Sequence, residues 1–354
     1  MEAVEKGELK KIQEILQEEA PSRAQRVISN NDILFQCVRP YQKNNYIHRV
    51  PNTSNIQWIA STGYAQIRTT ESPNYIYHLL NTDRFNRKVM VRCTGSSYPA
   101  INSEDLSTIH FYLSTDKKEQ CKIARLLDLL DERIATQNKI IEKYESLIQA
   151  ICDTLIESGQ HNVELSFNDF GEPYSGLSGK SAEDFGKGWP YITYMNVYQN
   201  QIIDITDVGL VKINETEQQS TVRYGDILFT LSSETPDEVG MGAVYLGDAY
   251  PLYLNSFCFG VHITDESKIF PPFLAYYISS KSFRKAVFPL AQGSTRFNLQ
   301  KNDFMKKIFH FPTVKKQSEI YSVLKAYSDK LSVEKNIVNL LCEQKSYLLR
   351  QLFI

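Results

Sequence analysis

The chain has 354 residues, with 39 Lys and Arg against 41 Asp and Glu, so its formal net charge at pH 7 is −2. This length suits two domains, and a hydrophobic content of 42% is enough to form their cores. No apolar run of about eighteen residues and no apolar leader is present, so we expect neither a membrane span nor a signal peptide. Six Cys without CxxC spacing predict reduced thiols and a cytoplasmic protein.

Residues 1–20 are charged and only weakly helical, and the segment that follows them, residues 21–49, is basic. Its single acid is Asp32, and tyrosines lie among the cations. This combination is typical of a phosphate-binding face, and an ordinary solvated edge is the alternative. The basic and aromatic residues of the segment are Arg23, Arg26, Arg39, Tyr41, Lys43, Tyr46 and Arg49.

The next elements are predicted from their apolar patterns. We expect a buried strand over residues 57–68, a helix over 74–86 and a short strand over 109–113. A polar and glycine-containing loop over 167–181 separates these from further strands at 191–197, 225–231 and 308–311. Within that loop Gly176 to Ser181 looks superficially like a phosphate loop, but Tyr174 stands where the motif requires its first Gly, so we reject that interpretation.

The most regular pattern in the chain lies between Asp116 and Glu157. Apolar residues recur there in steps of four and three, which predicts a helix with a partner helix along one side. Asp116 followed by Glu119 predicts a capping box, and no Pro or Gly interrupts the segment before Gly159. At 1.5 Å per residue this helix would be roughly 60 Å long. The seam contains Ile123, Leu127, Leu130, Ile134, Gln137, Ile141, Tyr144, Ile148, Ile151 and Leu155.

The C-terminus repeats this seam at an offset of 197 residues, the separation of Gln137 and Glu334. A polar seam residue fixes register at some cost in stability, and we expect Gln137 to face Glu334 in an antiparallel coiled coil. Two unrelated amphipathic helices are the alternative. The second seam contains Ile320, Leu324, Tyr327, Leu331, Glu334, Val338, Leu341, Lys345, Leu348 and Leu352.

The whole chain is predicted to be a duplication. Residues 31–35 match 225–229, and Gly95-Ser96-Ser97 matches Gly293-Ser294-Thr295. We therefore predict an α+β fold of two duplicated α/β globular domains separated by two long helices. The first domain lacks the counterpart of about 34 residues that precede the match in the second. The predicted segments are residues 1–115, 116–158, 159–312 and 313–354.

Catalytic motifs are absent from the sequence. It contains no HExxH, no GxSxG and no glycine-rich turn of a nucleotide or S-adenosylmethionine site. Phe270-Pro271-Pro272-Phe273 is similar to the Pro-Pro motif of amino-methyltransferases, but Phe270 cannot accept the hydrogen bonds that the first residue of that motif must accept. The sequence therefore indicates a binding protein without a metal site.

Over nearly its whole length the chain resembles the specificity subunit of type I restriction–modification systems. The similarity is carried by the order of several segments within the duplicated layout. These segments are Ala20 to Ala24, Val38 to Tyr41, Ile59 to Gly63, Glu119-Gln120, Tyr174 to Lys180, Ile192 to Val197 and Gly293 to Arg296.

The resemblance implies that each globular domain is a target recognition domain for one half of a bipartite double-stranded DNA sequence, with the coiled coil as a ruler. It implies two methyltransferase subunits that hold S-adenosylmethionine, and restriction and translocase subunits that use ATP and Mg. This chain itself would be non-catalytic and would bind no cofactor. A coiled-coil interaction scaffold, an inactive or partial specificity subunit, and a DNA-modifying enzyme with unrecognised motifs are the alternatives.

Candidate DNA contacts follow from the basic segments and polar loops. Cations would mainly position phosphates, whereas Asn196 and the loop hydroxyls would read bases. Copy one has Tyr98 where copy two has Arg296, so at this position an arginine contact is expected only in copy two. The candidates are Arg23, Arg26, Arg39, Tyr41 and Lys43 in copy one, and Ser175, Lys180, Tyr194, Asn196, Ser232, Ser233 and Arg296 in copy two.

Overall fold

A computed structural model describes residues 4–5, 7–53, 56–157 and 163–353. The chain divides into a first unit, residues 1–140 with 334–354, and a second unit, residues 141–333. Both long helices cross this division, so each unit contains one half of each helix. The predicted boundary at 158 and 159 and the expected helix stop at Gly159 lie outside the described residues.

The first unit combines short antiparallel strands with helices. Strands β5, β4 and β7 form one sheet in that order, and β3 pairs with β6. Helices α1 and α2 cover a core that includes Phe35, Leu79 and Val89. The elements are β1 Val4–Glu5, β2 Glu8–Leu9, β3 Ala24–Val27, β4 Ile33–Gln36, β5 Tyr46–Ile47, β6 Ile59–Ser61, β7 Tyr64–Ile67, α1 Pro73–Leu80, α2 Asp83–Met90, α3 Ser103–Ser107 and α4 Lys117–Glu157.

The second unit is richer in strands. Its four-stranded antiparallel sheet has the order β14-β12-β16-β9, and smaller sheets have the orders β11-β10-β15 and β13-β18-β17. A cluster of buried phenylalanines around Phe167 fills the core. The elements are β8 Val163–Leu165, β9 Gly171–Ser175, β10 Phe185–Ile192, α5 Tyr194–Gln199, β11 Val208–Val211, β12 Ile227–Thr230, β13 Ser232–Ser233, β14 Gly242–Val244, β15 Tyr253–Leu254, β16 Cys258–Ile263, α6 Pro271–Tyr277, α7 Lys281–Val287, β17 Ala291–Gln292, β18 Phe297–Leu299, α8 Lys301–Lys306, β19 Phe309–Phe311 and α9 Val314–Leu352.

The duplication is visible in matching local structures. Asn31 and Gly225 both have positive φ, 71° and 87°, and each lies two residues before the start of an inner strand of its sheet, β4 and β12. The aspartates that follow them, Asp32 and Asp226, are 1% exposed, and each accepts a hydrogen bond from the backbone N–H three residues before it. The two units therefore repeat the same turn and strand.

A second repeated structure joins each domain to its long helix. Gln120 of α4 is 0% exposed, accepts from the N–H of Ser72 at 3.1 Å and donates to the carbonyl of Ser114 at 2.7 Å. Gln317 of α9 is also 0% exposed, and its bonds run in the same way to Phe270 N–H and the carbonyl of Pro312. A buried glutamine thus fixes the segment before α1 and α6 to the start of a long helix.

The seam residues are buried or half-buried along both long helices. In the first unit Gln137 donates a hydrogen bond to Glu334, and Lys345 forms an ion pair with Asp131. Asp131 precedes Gln137 in α4, whereas its partner Lys345 follows Glu334 in α9. The two helices therefore run antiparallel there. In the second unit Cys152 of α4 and Leu324 of α9 belong to one apolar core.

Several sequence predictions are wrong in detail. The helix expected over 74–86 is two helices, because Thr82 accepts a hydrogen bond from Phe85 N–H and begins α2. Residues 109–113 form no strand, and the strand expected over 57–68 is broken by a turn at 62–63. The strand expected over 191–197 ends at Ile192, because Thr193 caps α5 through Asn196 N–H.

The predicted capping box at Asp116 is also replaced by another arrangement. Asp116 accepts from Lys118 N–H at 2.8 Å, whereas the Glu119 carboxylate accepts from the hydroxyl of Ser114. That hydroxyl in turn accepts from Asp116 N–H at 3.2 Å. The Ser114 hydroxyl therefore bridges the Asp116 N–H and the Glu119 carboxylate, which are hydrogen-bonded directly to each other in a capping box.

Candidate nucleic-acid interface

The candidate contacts of the first unit are largely engaged within that unit. Lys43 Nζ lies 2.5 Å from Asp83 Oδ1, and this ion pair lowers the pKa of Asp83. Arg26 donates to the carbonyl of Tyr64. Arg39 lies 4.3 Å from the centre of the Tyr98 ring, a cation–π contact.

Two of the five candidates are open to solvent. Arg23 is exposed, and Tyr41 is 50% exposed. The basic segment therefore offers less free positive charge than its composition suggests.

In the second unit, four predicted residues come together in one cleft of about 440 Å³. Helix α5 contributes Tyr194, β13 contributes Ser232 and Ser233, and Arg296 immediately precedes β18. Strands β13 and β18 pair antiparallel with Ser232 opposite Asn298 and Ser233 opposite Phe297. The lining residues are Tyr194, Met195, Tyr198, Ser232, Ser233, Glu234, Glu238, Phe257 and Arg296.

Internal hydrogen bonds fix the floor of the cleft. Tyr194 donates to the carbonyl of Ser232 at 2.7 Å, and Tyr198 donates to Glu238 Oε1 at 2.6 Å. The Glu238 hydrogen bond raises the pKa of Tyr198, and burial raises the pKa of Tyr194, so both phenols are neutral at physiological pH. Their rings stack with centres 5.9 Å apart.

The rim of the cleft, by contrast, is exposed. Glu234 and Arg296 are exposed, Met195 is 45% exposed and Phe257 is 60% exposed. In the described part of the chain, no hydrogen bond or ion pair joins Glu234 or Arg296 to another residue. These two charged groups are therefore free to bind a ligand.

A glycine shapes the turn that carries Arg296. Gly293 has φ +131°, and a Cβ built there would lie 2.0 Å from the carbonyl oxygen of Arg296. Only a residue without a side chain fits this close approach. The Gly-Ser-Thr-Arg segment thus positions Arg296 at the rim.

Three candidate contacts of the second unit lie elsewhere. The side chain of Lys180 is 4% exposed, pairs with Glu217 and donates to the carbonyl of Lys212 at 2.6 Å. Ser175 is exposed and accepts from Lys301 Nζ at 3.3 Å. The structure does not bring either residue into the cleft.

Asn196 requires a correction. It is 0% exposed, and its amide nitrogen donates to the carbonyls of Asp204 and Asp207 at 2.7 and 2.6 Å. Its oxygen accepts from Asp204 N–H at 3.1 Å. With no free group, Asn196 holds the loop after α5 and cannot reach a base in this structure.

Sequence reasoning missed the other half of the cleft. The sequence analysis assigns no role to the acids Glu234 and Glu238, and it predicts α5 as a strand. Phe257 had no signal in the sequence, because its place at the rim depends on the fold of the β15–β16 turn. The run of hydroxyl and acidic residues after β12 is the one indication that the sequence offers.

The fold and the cleft define a recognition protein built on a duplicated frame with two long antiparallel helices. Residues 174–342 match the family described as type I restriction modification DNA specificity domain. This segment of the chain therefore belongs to that family, and the resemblance found in the sequence is confirmed. The predicted α+β fold class is confirmed as well. No curated protein matches the chain.

Solved structures of similar fold come from the same kind of system. One similar chain comes from a structure that describes complex assembly and conformational transition of the type I R-M system. It matches with a TM-score of 0.62 and 20% identity, over 99% of this chain and 89% of that one. A type I restriction-modification S subunit from M. genitalium matches with a TM-score of 0.56 and 17% identity, over 93% and 84%. An HsdS subunit from Thermoanaerobacter tengcongensis matches with a TM-score of 0.46 and 19% identity, over 99% and 88%.

Two kinds of feature are absent from the described residues. In the described residues, no helix is both long and apolar enough to cross a bilayer. Within the same residues, no group of three or more His, Cys, Asp or Glu side chains is arranged to hold a metal ion.

Proposed function

We propose that this chain is the DNA-recognition subunit of a type I restriction–modification complex and is itself non-catalytic. It binds a bipartite double-stranded DNA target and docks two methyltransferase subunits and the restriction and translocase subunits. The partners hold S-adenosylmethionine, ATP and Mg, and the complex acts on DNA in the cytoplasm. The observation that supports this proposal most directly is the cleft with four predicted contact residues inside the matched specificity domain.

The proposed function assigns different tasks to the long helices and to the loops. A buried seam with a polar pair fixes the register of the long helices, and a fixed frame imposes a fixed spacing on DNA half-sites, as dimer geometry does in other DNA readers. Exposed side chains on loops read sequence. Chemistry on a base requires that base to leave the stack, which the partner performs while this subunit holds the duplex.

The test is adenine methylation across the genome of a host that carries this chain with its cognate methyltransferase subunit. A host with the methyltransferase alone is the control. We expect a bipartite methylated motif only when the chain is present. No new methylation, together with DNA binding that does not weaken as salt rises, would instead support an interaction scaffold.

The first unit favours one alternative, a partial specificity subunit. Its basic residues Arg26, Arg39 and Lys43 are engaged by groups of the same unit. A motif with only one defined half would show that this copy does not read DNA. A motif with two defined halves would exclude that alternative.

A further inference from the structure

We propose that the rim of the cleft reads one G·C base pair in the major groove, with Arg296 donating to guanine and Glu234 accepting from cytosine. This inference rests on the proposed function, because it names what the DNA site of the second unit recognises. It gives a role in DNA recognition to an acidic residue, Glu234, although DNA-binding surfaces are mainly basic.

The positions of the two residues follow from the strand register. Strand β13 pairs with β18 through Ser232 opposite Asn298 and Ser233 opposite Phe297. If this antiparallel register is continued by one position beyond the paired strands, Glu234 comes opposite Arg296. Directly opposed residues have Cβ atoms about 5 Å apart, so the two side chains begin close together, although no ion pair joins them in the described residues.

The charge of the cleft argues against a phosphate ligand. Glu234 and Glu238 line it against a single cation, Arg296. Like charges a few ångströms apart repel, so a phosphate in this cleft would meet two carboxylates. A ligand with both a hydrogen-bond donor and an acceptor fits better than an anion.

A G·C pair offers such a ligand. In the major groove guanine presents the acceptors N7 and O6, which suit the fork of an arginine, and cytosine presents its N4 amino donor, which suits a carboxylate. The O6 and N4 atoms are neighbours, because they are hydrogen-bonded to each other in the pair. An A·T pair has a donor too, but neither of its bases offers two adjacent acceptors to a guanidinium.

The surrounding hydrogen bonds hold this arrangement in place before DNA binds. Ser233 Oγ donates to the carbonyl of Thr235 at 2.7 Å, which fixes the backbone on both sides of Glu234. Tyr198 occupies an oxygen of Glu238, so Glu234 is the carboxylate that remains open. Arg284 donates to the carbonyls of Asp237, Val239 and Gly240 and supports the loop from below.

The experiment compares Arg296→Ala, Glu234→Ala and the double variant in the full complex with its methyltransferase subunits. Each complex selects sites from a library of randomised DNA duplexes, and its methylated motif is read in the host. Lys306→Ala removes an exposed cation of α8 outside the cleft and serves as the matched control. Arg296→Lys keeps the charge but loses the fork.

We expect both alanine variants to lose discrimination at one and the same base pair, by about tenfold to a hundredfold, with a G·C pair there in the wild-type motif. The double variant relaxes no further position. Arg296→Lys keeps overall affinity and loses most of the guanine preference, and Lys306→Ala leaves the motif unchanged.

Four results would overturn the inference. Three of them are relaxation at two separate base pairs, relaxation at an A·T pair, and uniform weakening with a shallower salt dependence, which would identify a phosphate contact. An unchanged motif in the variants would also overturn it while leaving the proposed function intact. Absence of any motif from the wild-type complex would instead contradict the proposed function itself.

Discussion

At the scale of single residues, buried polar groups account for much of the specificity of the fold. Gln137 and Glu334 are 9% and 7% exposed and are hydrogen-bonded to each other in a mainly apolar seam. Such a pair stabilises little relative to leucines, because burial of polar groups costs about as much as their bond returns. Its contribution is to exclude other registers.

Glu334→Ala should therefore lower the free energy of unfolding by about 1–3 kcal/mol, because the Gln137 amide keeps its burial and loses its partner. The double variant with leucine at both positions should be at least as stable as wild type. Urea denaturation followed by circular dichroism measures both, and Glu343→Ala at an exposed site of the same helix is the control. Equal loss in the single and double variants would contradict this account.

Asp32 should make the stability of the first unit depend on acid pH. Its hydrogen bond from Arg68 is the main reason that the pKa of Asp32 falls from 3.8 to about 2. A depressed native pKa contributes stability above the unfolded value, and this stability is lost as the pH falls from about 4 towards 2.

The Asp32→Asn variant cannot titrate and should show a shallower fall of melting temperature over that range. Melting scans at steps of pH for the variant and wild type provide the comparison. If both curves fall in parallel, another group controls the acid transition.

At the scale of elements, the glutamine that joins each domain to its long helix should carry more stability than its neighbours. Gln317→Leu would leave Phe270 N–H and the Pro312 carbonyl buried without partners, at a cost of about 1–3 kcal/mol for each group. Gln351→Leu changes an exposed glutamine of the same helix and should be neutral. Urea midpoints of the two variants would test this, and equal midpoints would exclude the role.

The sequence predicts elements in which buried positions recur with a regular period. It does not predict contacts between segments that are distant in the chain. The seam positions could be predicted because a heptad directly reports which face is covered. The cleft could not, since Ser233 of β13 pairs with Phe297 of β18, which lies 64 residues later in the sequence (297 − 233). Lys43 likewise forms an ion pair with Asp83, which no local sequence pattern brings near it.

At the scale of the whole molecule, the proposed function makes helix length a determinant of DNA spacing. Insertion of one heptad into α4 and one into α9, in the middle of the seam, would add about 10 Å to each helix and preserve the apolar face. The gap between half-sites should then grow by about three base pairs, with both half-site sequences unchanged. The spacing is measured from the methylated motif. An unchanged gap would contradict the role of the long helices as a ruler.

The last residues of the chain belong to the core of the unit in which the chain begins. Phe353 is 8% exposed, and its ring lies 4.9 Å from that of Tyr75 in α1. Leu348 and Leu352 pack against the same core. Loss of these residues of α9 would therefore damage the core of the first unit, although Tyr75 and most of that unit lie far earlier in the sequence.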